Sequence, residues 1–373
     1  MLDSSESIQT IVDPKDAAQS VGLRYVSDAR PGIRRRKIGA GFTYTRADGS
    51  KLSHPDVLKR IKALVIPPAW ADVWISPFAD GHLQATGRDA KGRKQYRYHA
   101  LFREVRESTK YEHVVAFADA LPAIRKKAHE HMGRRGLPRE KVLATVIHLL
   151  ETTLIRIGNE DYAKQNNSYG LTTLKNRHVA VDGNEVRFRF TGKSGKQWSL
   201  RVRDRRVAKI IKACQELPGQ ELLQYVDEAG NCQDVTSSDV NAYLKEITGK
   251  DITAKDFRTW AGTVLAAMAL NELESFDSAA QAKRNLRAAI EKVAARLGNT
   301  PTICRKCYVH PEVLNSYMDG NLILELKSKA ESELRGEIPN LKPEEAAVLA
   351  LLRGRLAKEM ERTAAKKPGA KAA

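Results

Sequence analysis

The chain has 373 residues, of which 42% are hydrophobic and 29% charged. This composition predicts a soluble globular protein of two or three domains, and no apolar run approaches the roughly 18 residues of a membrane span. The 63 Lys and Arg residues outnumber the 45 Asp and Glu residues, for a net charge of +18. Such a field favours a polyanionic partner such as nucleic acid over a merely solvated basic surface or an acidic lipid surface.

Cysteines and the N-terminus exclude further classes of protein. The first residues are acidic and polar, and they lack the basic then apolar order of a signal peptide. Cys304 and Cys307 form a C-x-x-C motif, but Cys214 and Cys232 lie too far apart to complete a zinc site. We interpret the pair as small helix residues in a reduced compartment and predict no metal ligands.

The predicted elements begin after a flexible leader over residues 1–20. Residues 21–105 predict a small β-rich domain, with strands at 41–45 and 73–75 and a short helix at 55–64. In residues 87–99 cations alternate with aromatic residues and a glutamine, a mixture that suits contacts with phosphates and base edges.

Residues 106–325 predict a mainly helical domain with one small antiparallel sheet. Six apolar residues follow helical spacing and place Arg156 beside a helix stop at Gly158: Leu143, Val146, Ile147, Leu150, Leu154 and Ile157. A meander over 178–202 then carries Lys193 at a glycine-flanked turn. Together the two domains predict an α+β fold.

Helices at 256–273 and 279–297 lead to the C-terminal motifs. Gly298 ends the second helix, while Thr300 and Pro301 suit the N-cap and first residue of the next one. Residues 326–361 predict a helical extension. Residues 362–373, rich in Ala and Lys, predict a disordered basic tail.

Five residues in chain order could cleave a phosphodiester: Arg156, Lys193, Arg258, Asn299 and Tyr308. A phenol is a weak nucleophile at its ordinary pKa of about 10, so it needs cations on the phosphate and an acid for the leaving oxygen. Arginines hold a phosphate in bidentate fashion, and a lysine at a hairpin tip can protonate a leaving group. Taken singly, each is better explained as a solvated arginine, a turn lysine or a packed tyrosine.

The order and spacing of this set resemble the type IB DNA topoisomerases of poxviruses and bacteria. The resemblance covers about residues 20–325. The matching segments are 66–70 (IPPAW), 92–96 (GRKQY), 154–158 (LIRIG), 170–176 (GLTTLKN), 190–193 (FTGK), 255–259 (KDFRT) and 298–301 (GNTP), followed by Tyr308.

This resemblance implies a mechanism and site residues. Tyr308 attacks phosphorus to form a 3′-phosphotyrosyl bond, Arg156 and Arg258 bind the non-bridging oxygens, and Lys193 protonates the leaving 5′-oxygen. Asn299 stands where many members have histidine, and its amide can donate a similar neutral hydrogen bond. Strand rotation and religation then relax supercoils of either sign, with no ATP or cofactor and no required divalent cation.

The resemblance also implies a shape, a partner and a location. The expected molecule is a monomer that clamps double-stranded DNA in the cytoplasm, at a bacterial nucleoid, with no membrane association. Five matching positions are expected to contact DNA: Arg93, Gln95, Tyr96, Tyr162 and Lys175. Asn159 stands where the poxviral enzymes have a lysine, so a strict pentamer preference is not expected.

Two alternative functions stay open from the residues. Tyrosine recombinases share the catalytic core but usually have His-x-x-Arg at the second arginine, where this chain has Lys255-x-x-Arg258. A non-catalytic DNA-binding relative is the other alternative, because it could keep the fold without forming a covalent intermediate.

Overall fold

The protein is described by a computed structural model that covers residues 14–39, 41–90, 92–273, 276–324, 326 and 341–365. It divides into two compact units, residues 1–113 and residues 114–373. The α+β fold class is confirmed, with a β-rich first unit and a mainly helical second unit. No helix in the described ranges is long and apolar enough to cross a membrane. The finer division into five segments stays a prediction.

The first unit is a five-stranded antiparallel sheet with two short helices. The helices are α1 (Pro14–Gln19) and α2 (Pro55–Ala63), and the strands are β1 (Ile33–Ile38), β2 (Gly41–Thr45), β3 (Ala71–Ile75), β4 (Leu83–Arg88) and β5 (Lys94–Tyr98). The strand order is β2-β1-β3-β4-β5. Ile61 of α2 packs with Ile33, Val73 and Ile75 in the core of this unit.

Helix α1 lies where the sequence predicts the end of a flexible leader. Ala17 and Ala18 are buried there, in a cluster with Leu23 and Phe102. The structure differs from the expectation because two adjacent small apolar side chains let a single helical turn pack closely. Residues 1–13 lie outside the described ranges.

The second unit contains most of the helices. They are α3 (Ala100–Met132), which crosses the division between the units, α4 (Arg139–Thr153), α5 (Glu160–Asn166), α6 (Arg205–Gln215), α7 (Ser237–Thr248), α8 (Ala254–Glu272), α9 (Ala279–Leu297), α10 (Pro301–Cys307), α11 (Pro311–Met318) and α12 (Pro343–Ala365). Helix α4 is apolar and buried on nearly all sides, and α8 is buried along most of its length. These two helices form the centre of the core.

Two small antiparallel sheets accompany the helices. One has the order β6-β7-β8, with β6 (Val179–Asp182), β7 (Glu185–Thr191) and β8 (Gln197–Arg203), and the other pairs β9 (Gln224–Val226) with β10 (Cys232–Asp234). Val186, Phe188 and Phe190 are buried while Arg187 and Arg189 are exposed, so the predicted alternation of β7 is confirmed. A tight turn, Lys193–Gly195, joins β7 to β8.

Helix α12 is fixed to the core by a buried ion pair. Arg125 of α3 donates two hydrogen bonds of 2.8 Å to the Glu345 carboxylate and one of 2.8 Å to Glu151 of α4. Burial raises the pKa of the Glu345 carboxyl, whereas the hydrogen bond and the positive charge of Arg125 lower it. The lowering effects are larger together, so the pKa lies below its usual value. The helix runs to Ala365, past residue 361 where the predicted extension ends. Residues 327–340 and 366–373 of the predicted extension and tail lie outside the described ranges.

We predict that Arg125→Ala lowers the free energy of unfolding by roughly 3–5 kcal/mol, because it leaves the buried Glu345 charge without its partner. Arg353→Ala is the matched control, since its pair with Asp119 is partly exposed and should contribute only about 0–1 kcal/mol. Urea unfolding monitored by circular dichroism measures both changes. Equal losses of unfolding free energy in the two variants would contradict the stabilising role of the Arg125–Glu345 ion pair.

Candidate active site

Two chain segments, at the C-terminal ends of α4 and α9, form the frame of the site. Helix α4 ends at Leu154, a non-glycine residue in the left-handed conformation with φ 58°. Helix α9 ends at Gly298, where φ is 65°. The sequence correctly predicts the second end. It places the first end too late, at Gly158, because the apolar spacing continues past Leu154 after the helix itself has stopped.

Arg258 joins these two segments from the interior. Its guanidinium donates one hydrogen bond to the carbonyl of Leu154 and another, of 2.6 Å, to the carbonyl of Leu297. The residue is 3% exposed, and its Nε is buried with no hydrogen-bond partner in the described ranges. Burial, and then the charge of Arg156, lowers the pKa of Arg258 to about 10, so it stays positive at neutral pH.

Arg258 lies further into its helix than the sequence suggests. Because α8 begins at Ala254, the arginine falls after the first turn, and its side chain binds carbonyl oxygens of other segments.

Arg156 follows α4 in an irregular segment and faces the other two groups. Its Nη1 donates to the hydroxyl of Tyr308 at 2.8 Å, and its Nη2 donates to Oδ1 of Asn299. A guanidinium can only donate, so it fixes the amide with oxygen inward. The amide Nδ2 of Asn299 is buried and has no hydrogen-bond partner among the described residues. The amide therefore has a donor available for an anion.

Tyr308 is held where α10 ends against α8. A Cβ on Gly262 would lie 2.5 Å from the Tyr308 carbonyl oxygen, so only glycine allows this approach. Thr263 also donates a 3.4 Å hydrogen bond to that oxygen. Burial raises the pKa of the Tyr308 phenol, but the charges of Arg156 and Arg258 outweigh it and bring the pKa below the usual value.

The structure thus brings Arg156, Arg258, Asn299 and Tyr308 together in one cluster. In the described ranges no carboxylate forms an ion pair with either arginine. Two cations side by side without a counterion repel each other, which is a cost that an anionic ligand would remove. The arrangement can therefore hold a tetrahedral anion beside an activated phenol.

In the described ranges Lys193 forms no hydrogen bond or ion pair with these four residues. It is exposed at the tip between β7 and β8, with its Nζ 5.8 Å from the ring centroid of Tyr162. The structure thus pairs two predicted site residues, one expected to donate a proton and one expected to contact DNA. Asn159 accepts a 2.9 Å hydrogen bond from the Tyr162 backbone N–H, so it acts as the N-cap of α5.

The other residues predicted to contact DNA occupy two different surroundings. In the first unit, Arg93 and Gln95 both donate to the carboxylate of Asp89, while Tyr96 is 47% exposed. In the second unit, Lys175 forms an ion pair of 3.2 Å with Glu221. The Tyr96 ring stacks on Tyr98, with centroids 5.9 Å apart, and lies 5.5 Å from the Nζ of Lys94.

Sequence reasoning missed the groups that position the site. The carbonyls of Leu154 and Leu297 hold Arg258, and Gly262 admits Tyr308. A sequence does not show which backbone carbonyls will accept hydrogen bonds from distant side chains. The glycine inside helix α8 was the available signal of a close backbone contact. Cys304 is buried and Cys307 half-buried on α10, in agreement with their interpretation as helix residues.

Two family models and known viral proteins match this chain. A family model described as the catalytic core of eukaryotic DNA topoisomerase I matches residues 99–334, and one for the N-terminal domain of bacterial DNA topoisomerase IB matches residues 41–89. DNA topoisomerase 1B of Acanthamoeba polyphaga mimivirus is 31% identical over 295 residues, which is 77% of this chain and 88% of the relative. DNA topoisomerase 1B of Vaccinia virus (strain Copenhagen) is 25% identical over 242 residues, 64% of this chain and 73% of the relative.

We predict that Arg156→Gln raises the pKa of Tyr308, because it removes a charge that stabilises the phenolate. The phenolate absorbance of Tyr308 is isolated by subtracting the titration of a Tyr308→Phe protein from that of the parent. Arg305→Gln is the control, since this exposed α10 residue carries the same charge without contacting the phenol. If Tyr308 titrates at the same pH with and without Arg156, the electrostatic role of Arg156 is wrong.

Proposed function

Because this chain belongs to the type IB DNA topoisomerases, we propose that it relaxes supercoiled DNA by cutting and rejoining one strand through Tyr308. The observation that carries the proposal is the hydrogen bond of 2.8 Å from Arg156 to the Tyr308 hydroxyl, next to the buried Arg258. The matched family models are topoisomerase models, which favours this function over a tyrosine recombinase or a non-catalytic relative.

The first step is binding of the scissile phosphate. Arg156 and Arg258 neutralise its non-bridging oxygens and stabilise the charge that grows in the transition state. The free Nδ2 of Asn299 donates a further hydrogen bond to one of these oxygens. When the phosphate binds, Arg156 exchanges its contact with the phenol for one with the anion, and the phenol becomes free to attack.

The second step is the transfer of the strand to the enzyme. The Tyr308 hydroxyl releases its proton to water, which its lowered pKa favours, and its oxygen bonds to phosphorus while the bond from phosphorus to the 5′-oxygen breaks. Lys193 gives a proton to that oxygen, so a 5′-hydroxyl end leaves and a 3′-phosphotyrosyl bond remains. One phosphodiester replaces another, and the reverse reaction can therefore rejoin the strand without ATP.

The third step is rotation followed by religation. The cut strand turns about the intact one, so supercoils of either sign relax until the 5′-hydroxyl attacks the phosphotyrosine. The protein groups named above supply the positive charge on the phosphate and the proton for the leaving oxygen, and water accepts the phenolic proton. We therefore expect relaxation without a cofactor and without a required divalent cation.

The proposed substrate is double-stranded DNA, held by a monomer that encircles it. The net charge of +18 favours binding to the phosphate backbone. In the first unit the exposed Tyr96, together with Arg93 and Gln95, suits contact with a groove. Tyr162 and Lys175 suit contact near the scissile strand. We place this activity in the bacterial cytoplasm, at the nucleoid.

We predict that Tyr308→Phe abolishes relaxation and leaves DNA binding intact, because only the nucleophilic oxygen is lost. The assay uses a negatively supercoiled plasmid with a chelator and no ATP, and a filter assay measures binding. A covalent protein–DNA adduct on a denaturing gel should form with the parent protein only. Normal relaxation by the variant would overturn the assignment of Tyr308.

We predict that Asn299→Ala slows single-turnover cleavage without abolishing it, by about 10²–10³-fold if Nδ2 acts as an oxyanion donor. Asn299→Asp tests the same atom, because it keeps an acceptor for Arg156 but has no donor. Asn299→His restores a donor and should introduce a pH dependence near the ordinary histidine pKa of about 6.5, which the parent lacks at this position. An unchanged cleavage rate in the alanine variant would reject the role of Asn299.

A further inference from the structure

We propose that Lys196 and Trp198 are positioning residues that dock the Lys193 hairpin against the end of α9, beside Asn299. The proposal rests on the proposed role of Lys193 as the proton donor. It assigns a task to two residues that take no part in the chemical steps above. Its basis is a set of contacts between the hairpin and the segment that carries Asn299.

The tip of the hairpin is tightly closed, so its residues move together. The N–H of Gly192 donates to the carbonyl of Lys196 at 2.7 Å, and the N–H of Gly195 donates to the carbonyl of Gly192 at 3.1 Å. Ser194 adopts a left-handed φ of 64° between them. Lys193 and Lys196 therefore lie on opposite sides of one compact turn, and fixing one side also fixes the other.

Trp198 connects this turn to the Asn299 segment. Its ring stacks on Phe190 across the two strands, with centroids 6.1 Å apart. A Cβ on Gly192 would lie 2.6 Å from the indole Nε1, and a Cβ on Gly298 would lie 2.7 Å from Cζ2. The indole thus packs against two glycine backbones, one in the hairpin and one next to Asn299.

Lys196 adds a polar contact at the same place. Its Nζ donates to the carbonyl of Ala295 at 3.3 Å, in the last turn of α9, and lies 5.6 Å from the Trp198 ring centroid. The C-terminal end of a helix carries negative potential and unsatisfied carbonyls, so it attracts a lysine. In the described ranges Lys196 forms no ion pair with a carboxylate, and the helix end is its anchor.

The two lysines of the turn therefore have separate tasks. Lys196 is bound to α9, while the Lys193 ammonium extends towards the ring of Tyr162, with no hydrogen bond or ion pair in the described ranges. Proton donation requires a donor within about 3 Å of the leaving oxygen, and misplacement by about 1 Å can cost about 100-fold in rate. Docking of the turn sets that distance relative to the phosphate-binding groups.

The test compares two leaving groups. We would measure single-turnover cleavage of one DNA duplex whose scissile linkage contains either the normal 5′-oxygen or a bridging 5′-sulfur. A thiol has a pKa of about 8.5, against about 15.7 for water as a guide to an alcohol, so the thiolate leaves without a proton. A defect confined to proton donation disappears with sulfur, whereas a defect in folding, phosphate binding or the nucleophile persists.

We expect Lys196→Met to slow cleavage of the oxygen substrate by about 10–100-fold and to cleave the sulfur substrate at the parent rate. Trp198→Phe, which keeps the stack on Phe190 but loses the edge against Gly298, should show the same pattern. Lys196→Arg should restore part of the rate. Lys209→Met, at an exposed lysine of α6, is the control for loss of one charge and should match the parent with both substrates.

Other outcomes separate the inference from the proposed function. Parent-like cleavage of the oxygen substrate by both Lys196→Met and Trp198→Phe would overturn the docking role, and so would equal slowing with both substrates. Lys193→Ala should be slow with oxygen and fast with sulfur. If the parent forms no covalent adduct, or if sulfur does not rescue Lys193→Ala, the proposed function or its proton donor is wrong instead.

Discussion

The buried guanidinium of Arg258 is the interaction on which the rest of the site depends. It holds the carbonyls of Leu154 and Leu297, which end two helices that are far apart in sequence. Arg156 follows the first carbonyl by two residues, and Asn299 follows the second by two. This bridge fixes the two segments, and the hydrogen bond from Arg156 to Oδ1 of Asn299 joins their side chains, although both residues lie outside regular secondary structure.

This arrangement places two positive charges in a partly apolar interior, where charge is costly without a partner. The described structure compensates only in part, with neutral carbonyls, an amide oxygen and a phenol. A protein that binds an anion at each turnover can tolerate this unfavourable electrostatic energy, because the bound anion supplies the missing negative charge. The same two cations lower the pKa of Tyr308, so one electrostatic feature serves both phosphate binding and activation of the nucleophile.

Sequence patterns succeeded where local physics decides the structure. The alternation in β7, the limits of α9 and the Thr300 N-cap were all read correctly, since each depends on neighbouring residues. They failed where distant contacts decide. Strand β1 reads Ile-Arg-Arg-Arg-Lys-Ile, which hides any alternation, yet Arg35 folds inward and donates to the carbonyls of Pro67 and Trp70.

The sequence by itself determined the fold class, the family and the identities and order of the five candidate catalytic residues, because these follow from side-chain chemistry and spacing along one chain. Only the tertiary structure decided where α4 stops, which way the Asn299 amide points and what anchors the Lys193 turn. The physical reason is that these features rest on backbone carbonyls and close packing against glycine. Backbone carbonyls are the same at every residue, so no sequence pattern shows which ones a distant arginine or lysine will bind.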